Sequence, residues 1–308
     1  MSEPSLWLIL AVVIGGLLAL DLLVFQRNAH AVSLREAALW SFVWIGLGLG
    51  FGALVWAWRG PESGEAYLAG YAIEKALSMD NVFLFAMIFS YFAVPAQYQH
   101  RLLFWGVLGA IVFRAVFIVA GASLLEAFHW TIYIFGLVLL VTGWRMARAQ
   151  GHGIDPQRNP VLRALRRLLP VSDTYSGQRF FVRHAGRLMA TPLLAVLVVV
   201  ETSDVLFAID SIPAIFAITT NPFIVFSSNA FAILGLRSLY FLLAGMIDRF
   251  AYIKIGLSAL LVFAGIKILI SDLVKIPVGL SLGVIVAILG VTIAASLWKT
   301  RARRTEGV

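Results

Sequence analysis

The stretch Glu201-Thr-Ser-Asp204-Val-Leu-Phe-Ala-Ile-Asp210-Ser-Ile-Pro213 decides the fold of this chain, because it places three carboxylates inside an apolar run. Apolar residues flank it on both sides, so hydropathy predicts a position near the middle of a membrane. Each acid costs about 2.5–3.5 kcal/mol at the centre of a transmembrane helix on insertion scales. We therefore expect a bound cation to offset these charges. Pairing with basic side chains around a simple proline kink is the alternative.

The composition of the 308-residue chain indicates a membrane protein. Its mean hydropathy is +0.92, with 61% hydrophobic and 13% charged residues, a balance that a soluble domain of this length could not carry on its surface. The chain has no cysteine, which excludes disulfides, zinc–thiolate sites and a cysteine nucleophile. Its net charge of +8 could suggest nucleic-acid binding, but the basic residues lie between apolar spans, where they set membrane topology. We expect no nucleic-acid partner.

Nine apolar segments predict an all-α polytopic membrane protein with about nine transmembrane helices in contact with lipid. The segments cover residues 6–25, 37–58, 66–92, 103–123, 131–147, 190–219, 226–247, 252–270 and 277–298. Most of the 24 Lys and Arg residues fall in loops on one side of this arrangement. The positive-inside rule then predicts the N-terminus outside and the C-terminus inside. We expect a multi-pass protein of a bacterial-type inner membrane.

The acidic stretch has a counterpart earlier in the chain, which indicates an internal duplication. Each copy has two acids at the same spacing, with an amide or a hydroxyl residue directly after the second acid. These residues are Glu74, Asp80 and Asn81 in the first copy, and Asp204, Asp210 and Ser211 in the second.

The two copies divide the chain into units. Residues 66–149 and 190–272 each contain three spans, and an odd number of crossings inserts the second unit in the opposite orientation. Such inverted repeats are typical of secondary transporters. Two spans precede them in residues 1–65, a basic loop in residues 150–189 joins them, and a span with a basic tail follows in residues 273–308. We expect the loop to be a solvated connector near anionic lipid headgroups, with a regulatory domain as the alternative.

Pro213 predicts that the second acidic helix is interrupted. A proline inside a helix donates no hydrogen bond, and its ring clashes with the carbonyl four residues back, here that of Ile209. We therefore expect a break beside Asp210 that frees backbone oxygens, which in a membrane only a cavity or a ligand can satisfy. The span that contains Asp80 is expected to cross this helix in the antiparallel direction and to break at the same level.

The side chains of the two motifs predict a site for a hard divalent cation. Residues seven apart on a helix return to nearly the same face, which aligns the amide or hydroxyl of each motif with its first acid. If the helices unwind locally, all four acids converge with these groups. Such an all-oxygen set suits Mn²⁺, Mg²⁺ or Ca²⁺, whereas the lack of His and Cys argues against copper or zinc. We expect the ion to be cargo, and we predict no cofactor.

Four further charged residues are candidates for balancing the charge of the site: Glu201, Asp21, Arg114 and Arg237. Arg114 and Arg237 each lie one span after an acidic motif, so we expect them to hold carboxylates ionised when the cation is absent; snorkelling toward the lipid surface is the alternative. Glu201 and Asp204 can share one helix face, and two acids so close are not both expected to ionise in a dry site. One of them is therefore a candidate proton carrier.

These motifs also resemble the TerC family of membrane proteins, which is named for tellurium resistance and includes the alkali-inducible Alx branch. The resemblance rests on Glu74-Lys-Ala-Leu-Ser-Met-Asp80-Asn81-Val-Phe, on the stretch that begins at Glu201, and on Ser228-Asn229-Ala-Phe-Ala-Ile-Leu-Gly-Leu-Arg237. It covers nearly the whole chain. It implies a manganese exporter related to the lysine-exporter superfamily, with the acids at positions 74, 80, 204 and 210 as metal-site candidates.

Three classes of function remain open on the sequence. The first is a secondary transporter that exports a divalent cation, Mn²⁺ by the resemblance, with protons as the exchanged ion. The second is an intramembrane enzyme, such as a protease that uses Asp80 and Asp210. The chain has no Gly-x-Gly-Asp, His-Glu-x-x-His or Gly-x-Ser-x-Gly motif, so we predict that it is not an enzyme. The third is a membrane assembly partner that supplies metal to other proteins or scaffolds them.

Overall fold

A computed structural model of the chain describes residues 3–25, 33–128, 130–148, 160–172, 174–184, 187–243 and 252–305. These ranges contain α-helices and one β-hairpin. The helices are α1 (Glu3–Phe25), α2 (Leu34–Arg59), α3 (Pro61–Tyr91), α4 (Ala96–Ala127), α5 (Thr131–Arg148), α6 (Pro160–Leu168), α7 (Pro192–Phe216), α8 (Pro222–Leu234), α9 (Leu236–Leu243), α10 (Ile253–Leu269) and α11 (Val278–Thr305). The strands β1 (Phe181–His184) and β2 (Arg187–Ala190) pair antiparallel.

Five of the described helices are long and apolar enough to cross a membrane: α2, α4, α5, α7 and α11. A sixth span follows if the bent pair α8–α9 is counted as one. The apolar part of α1 is shorter, α10 has only 17 residues, and α3 carries charged residues along its length. The chain is thus a predominantly helical membrane protein with one small hairpin. The nine crossings, the inverted repeat and the orientation stay predictions.

The predicted interruption of the acidic helices is wrong. α7 is helical without a break from Pro192 to Phe216, and α3 is continuous through Asp80. Pro213 lies in the last turn of α7. It cannot donate to the carbonyl of Ile209, but the helix ends three residues later at Phe216, so the lost hydrogen bond does not divide the helix. The break lies instead in the α8–α9 pair, which bends by 42° at Gly235.

Two neighbouring helices stabilise the bend between α8 and α9. A side chain on Gly235 would meet Trp44 of α2, since an added Cβ would lie 2.8 Å from the Trp44 Cβ. Lys75 of α3 donates a hydrogen bond from Nζ to the carbonyl oxygen of Ala232 at 3.1 Å. This carbonyl belongs to the last turn of α8, where helix carbonyls lack partners within their own helix. The bend is therefore held by α2 and α3.

The two acidic helices, α3 and α7, pack against each other in the antiparallel direction. Gly70 near the start of α3 packs against Ile215 at the end of α7, and Asn81 farther along α3 contacts Asp204 farther back on α7. An inverted repeat requires this antiparallel arrangement of its first helices. The arrangement brings the centres of both acidic motifs to the same level.

The described part of the basic loop is folded, and its predicted position as a solvated connector near lipid headgroups stays a prediction. α6 packs on α7 and buries Leu162. The hydroxyl of Tyr175 donates to the carbonyl oxygen of Phe92 at 2.8 Å, and the guanidinium of Arg101 lies 5.0 Å from the ring centre of Phe180. The hairpin and α6 thus attach to the ends of the membrane helices.

Candidate functional site

A buried arginine, Arg114 of α4, joins four helices near the centre of the protein and is 1% exposed. Its guanidinium forms an ion pair with Glu74 of α3. It also donates from Nε and Nη2 to the two carboxylate oxygens of Asp204 on α7, at 3.3 and 3.2 Å. Nη1 donates in addition to Ser211 Oγ at 3.0 Å and to Asn229 Oδ1 of α8 at 3.2 Å. Together with Asn81 these residues form what we call the Arg114 cluster.

Two amides complete the Arg114 cluster. Asn229 Nδ2 donates to Glu74 Oε2 at 3.1 Å, and Asn81 Nδ2 lies 3.5 Å from Asp204 Oδ1. The amides and both acids are at most 2% exposed. The Oδ1 atom of Asn81 is buried and has no hydrogen-bond partner within the described residues. Because such an atom is costly to leave unpaired, it is a candidate ligand position.

The structure brings together Glu74, Asn81, Asp204 and Ser211 from the predicted ligand set. They meet because each motif lies at the level where α3 and α7 cross, and because residues seven apart share a helix face. Sequence separation alone would leave them far apart, but the antiparallel crossing makes them neighbours. Each first acid then contacts the same guanidinium.

Asp210 does not join the cluster. Its Oδ1 accepts a hydrogen bond from Thr142 Oγ1 of α5 at 2.9 Å. On a continuous helix Asp210 is rotated by about 240° from Asp204, and the predicted convergence required local unwinding that α7 does not show. The side chain of Asp80 lies outside the described residues.

Two other charge-balancing candidates, Arg237 and Asp21, lie elsewhere in the fold. Arg237 of α9 forms an ion pair with Asp21 of α1, and both side chains are buried. Arg237 was expected to serve an acidic motif, but the bend after α8 directs it toward α1. Neither this arginine nor Arg114 extends toward lipid, so the snorkelling alternative does not hold. Arg114 pairs with acids of both motifs, whereas Arg237 pairs with an acid outside them.

Glu201 lies one turn before Asp204 on α7 and packs against Gly109 of α4. A Cβ on Gly109 would overlap the Glu201 carboxylate, so the glycine makes room for the acid. Its Oε2 atom is buried and has no hydrogen-bond partner in the described part of the molecule. An ionised carboxylate is costly in that setting. Glu201 is therefore an acid next to the cluster that Arg114 does not neutralise.

The side chains of the cluster present oxygen atoms to a buried cationic group, the guanidinium of Arg114. Within the described ranges, no three His, Cys, Asp or Glu side chains come together in a group that could hold a metal. The oxygen atoms that accept hydrogen bonds from Arg114 belong to two carboxylates, a hydroxyl and an amide. The guanidinium occupies the position from which a cation would contact both acids. Hard cations accept such mixed sets of carboxylate, amide and water oxygens.

Asn229 is a member of the cluster that the sequence did not single out as a ligand. It lies in the Ser228-Asn229 pair of an otherwise apolar segment, and a polar side chain in such a segment is itself a functional signal. Thr142 and Gly109 carried no comparable signal. Their roles depend on which helix faces Asp210 or Glu201, which sequence spacing does not reveal.

Comparison with known proteins identifies the relatives of this chain. Residues 59–304 match the family described as "Integral membrane protein TerC family". The "Uncharacterized membrane protein STKORF319" of Myxococcus xanthus is 51% identical over 305 residues, which cover 99% of this chain and 96% of the relative. The Escherichia coli K12 protein named "Putative membrane-bound redox modulator Alx" is 50% identical over 306 residues, 96% of this chain and 95% of its own. No solved structure gives a significant match.

Proposed function

The chain belongs to the TerC family of integral membrane proteins, and from this premise we propose that it is a secondary transporter that exports a divalent cation, Mn²⁺, in exchange for protons. The observation that carries the proposal is the Arg114 cluster, in which one guanidinium holds two carboxylates from different helices. Charged side chains inside a membrane protein typically mark an ion pathway. Here they lie where the two acidic helices cross.

Charge balance supports exchange of the cation with the guanidinium. Glu74 and Asp204 together carry two negative charges, and a divalent cation would neutralise both. If Arg114 stayed in place, the site would gain an unbalanced positive charge, which is strongly unfavourable in a dry interior. We propose that Arg114 withdraws when the cation binds and returns when it leaves. The guanidinium thus offsets one of the two negative charges while the site is empty.

Glu201 is the residue that we propose carries the exchanged proton. Glu201 lies on α7 with Asp204, and its carboxylate packs against α4, the helix that carries Arg114. It would be protonated while Arg114 holds the cluster, and it would ionise when the guanidinium withdraws toward it. Cation binding then releases a proton, and cation release outside takes one up. This order draws on an inward proton gradient.

The oxygen donors support a hard cation, and the choice among such cations rests on the family resemblance. Mn²⁺, Mg²⁺ and Ca²⁺ all accept carboxylate and amide oxygens. Mg²⁺ usually keeps several waters, which a densely packed cluster could not admit without rearrangement. We therefore propose Mn²⁺ as cargo and treat Mg²⁺ and Ca²⁺ as competitors to be tested.

A second candidate is a membrane partner that supplies metal to other proteins or scaffolds them. The folded loop favours it, since Phe181 and Leu188 of the hairpin are 47% and 50% exposed. Relatives named as redox modulators raise the further possibility of a redox role. The chain has no cysteine, so any such role would not use thiol–disulfide exchange within it.

The test uses liposomes that contain only this protein and a fluorescent metal indicator. With an acidic lumen, we expect Mn²⁺ uptake that stops when a protonophore collapses the gradient. Glu74→Gln and Asp204→Asn should each abolish it, whereas Asp272→Asn, at an exposed contact with Tyr133, should not. A rate of Mn²⁺ uptake that does not change when the pH gradient is collapsed would exclude proton exchange. No flux from the wild-type protein would exclude the transporter and favour the partner role.

A further inference from the structure

A groove of about 850 Å³ lies between α10 and α11, away from the Arg114 cluster. Its base is the close contact of Gly256 with Thr292, where an added Cβ on the glycine would overlap the threonine side chain. Its walls include Ile255 and Val291, which are 58% and 69% exposed. The volume lies within the range of pockets that enclose small ligands, about 300–1,000 Å³.

One end of the groove is polar and aromatic. Lys299 Nζ lies 4.7 Å from the centre of the Tyr252 ring, and the neighbouring Trp298 is 77% exposed. The backbone N–H of Tyr252 donates to Ser296 Oγ at 3.1 Å, which ties the start of α10 to α11. Tyrosine, tryptophan and lysine together are typical of the membrane–water interface. The groove therefore extends from an interfacial end into an apolar slot.

We propose that this groove binds an anionic phospholipid, with an acyl chain along the apolar walls and the phosphate beside Lys299. Charge complementarity identifies the headgroup as anionic, because Lys299 opens the basic segment Lys299-Thr-Arg-Ala-Arg-Arg304 and the described lining residues include no acid. Basic pockets between transmembrane helices recognise anionic headgroups in this way. The site is independent of the transport proposal, since none of its residues belongs to the Arg114 cluster.

The test compares two tryptophan variants of α11. Val291→Trp fills the groove, whereas Val286→Trp adds the same side chain about 140° around the helix, outside the groove. Both valines are exposed, so neither variant disturbs buried packing. Each protein is equilibrated with equal amounts of phosphatidylglycerol and phosphatidylcholine in detergent, and native mass spectrometry counts the retained lipids.

We expect the wild-type protein and Val286→Trp to retain phosphatidylglycerol preferentially, and Val291→Trp to lose this bound lipid. Lys299→Gln should keep the groove but weaken the preference for phosphatidylglycerol over phosphatidylcholine about fivefold. This is the change in binding expected when one basic charge at the membrane surface is removed. Equal retention by the two tryptophan variants, or no preference in the wild-type protein, would overturn the proposal. A dimer that Val291→Trp dissociates would also overturn it, because a second copy of the chain would then occupy the groove.

Discussion

Replacement of Arg114 by methionine tests whether the guanidinium occupies the cation site. The change leaves Glu74 and Asp204 buried at 0% and 2% exposure without their cationic partner. Removing one partner of a buried ion pair typically destabilises a protein by about 3–5 kcal/mol. A divalent cation that takes the guanidinium's place would restore much of this loss. At a free metal concentration 100 times the dissociation constant, binding contributes about 2.7 kcal/mol.

Thermal unfolding of the purified protein in detergent, with and without Mn²⁺, measures both effects. We expect Arg114→Met to melt lower than the wild-type protein and to gain more stability from Mn²⁺, because the ion no longer has to displace a guanidinium. The shift should be several degrees at saturating metal. Asp204→Asn in the Arg114→Met background should remove the response to metal, since only one buried carboxylate remains in the cluster.

Arg237→Met is the matched control. It also removes a buried guanidinium from a carboxylate, that of Asp21, but at a position outside the cluster. It should lower the melting temperature without increasing the response to Mn²⁺. If Arg114→Met responds to Mn²⁺ no more than Arg237→Met or the wild-type protein, the guanidinium does not hold the place of a cation. The proposed exchange at this site would then be wrong.

Three further predictions concern residues around the cluster. Gly109→Ala should displace the Glu201 carboxylate. In liposomes at two lumenal pH values, the pH dependence of Mn²⁺ uptake should then weaken more than the rate of uptake. An unchanged pH profile would contradict the proton role of Glu201. Lys75→Met should lower stability by about 1–3 kcal/mol, because a carbonyl at the α8–α9 bend loses its donor, and an unchanged melting temperature would refute this. Asp210→Asn should reduce Mn²⁺ uptake less than Asp204→Asn, because Asp210 accepts a hydrogen bond from Thr142 of α5 and lies outside the cluster. Equal losses of uptake would place both acids on the transport path.

Much of the helical framework could be predicted from hydropathy. The segments predicted at residues 131–147 and 252–270 match α5 and α10 closely. The hairpin in the basic loop could not be predicted, since its short strands exist only through their mutual pairing and their attachment to the helix ends. Local propensity for such four-residue strands is too weak to distinguish them from a connector.

The helix break shows where a local rule depends on its context. A proline inside a helix removes one hydrogen bond and divides the helix only if a further helical segment follows it, but α7 ends at Phe216, three residues after Pro213. The actual break at Gly235 depends on Trp44 and Lys75, which come from helices distant in the sequence. The composition around Gly235 gives no comparable signal, because glycine is common in transmembrane helices.

The sequence by itself determined the membrane class, the two acidic motifs and the candidacy of Arg114 as their partner. These inferences hold because the free energy of transferring a side chain into lipid is a local quantity, to which each residue contributes separately. Only the tertiary structure decided that Arg114 meets Glu74, Asp204 and Asn229, that Arg237 meets Asp21, and that Asp210 turns to α5. Ion pairs depend on distance in space, and the partners of Arg114 lie 40 to 115 residues away along the chain. Helix packing alone brings them within hydrogen-bonding reach.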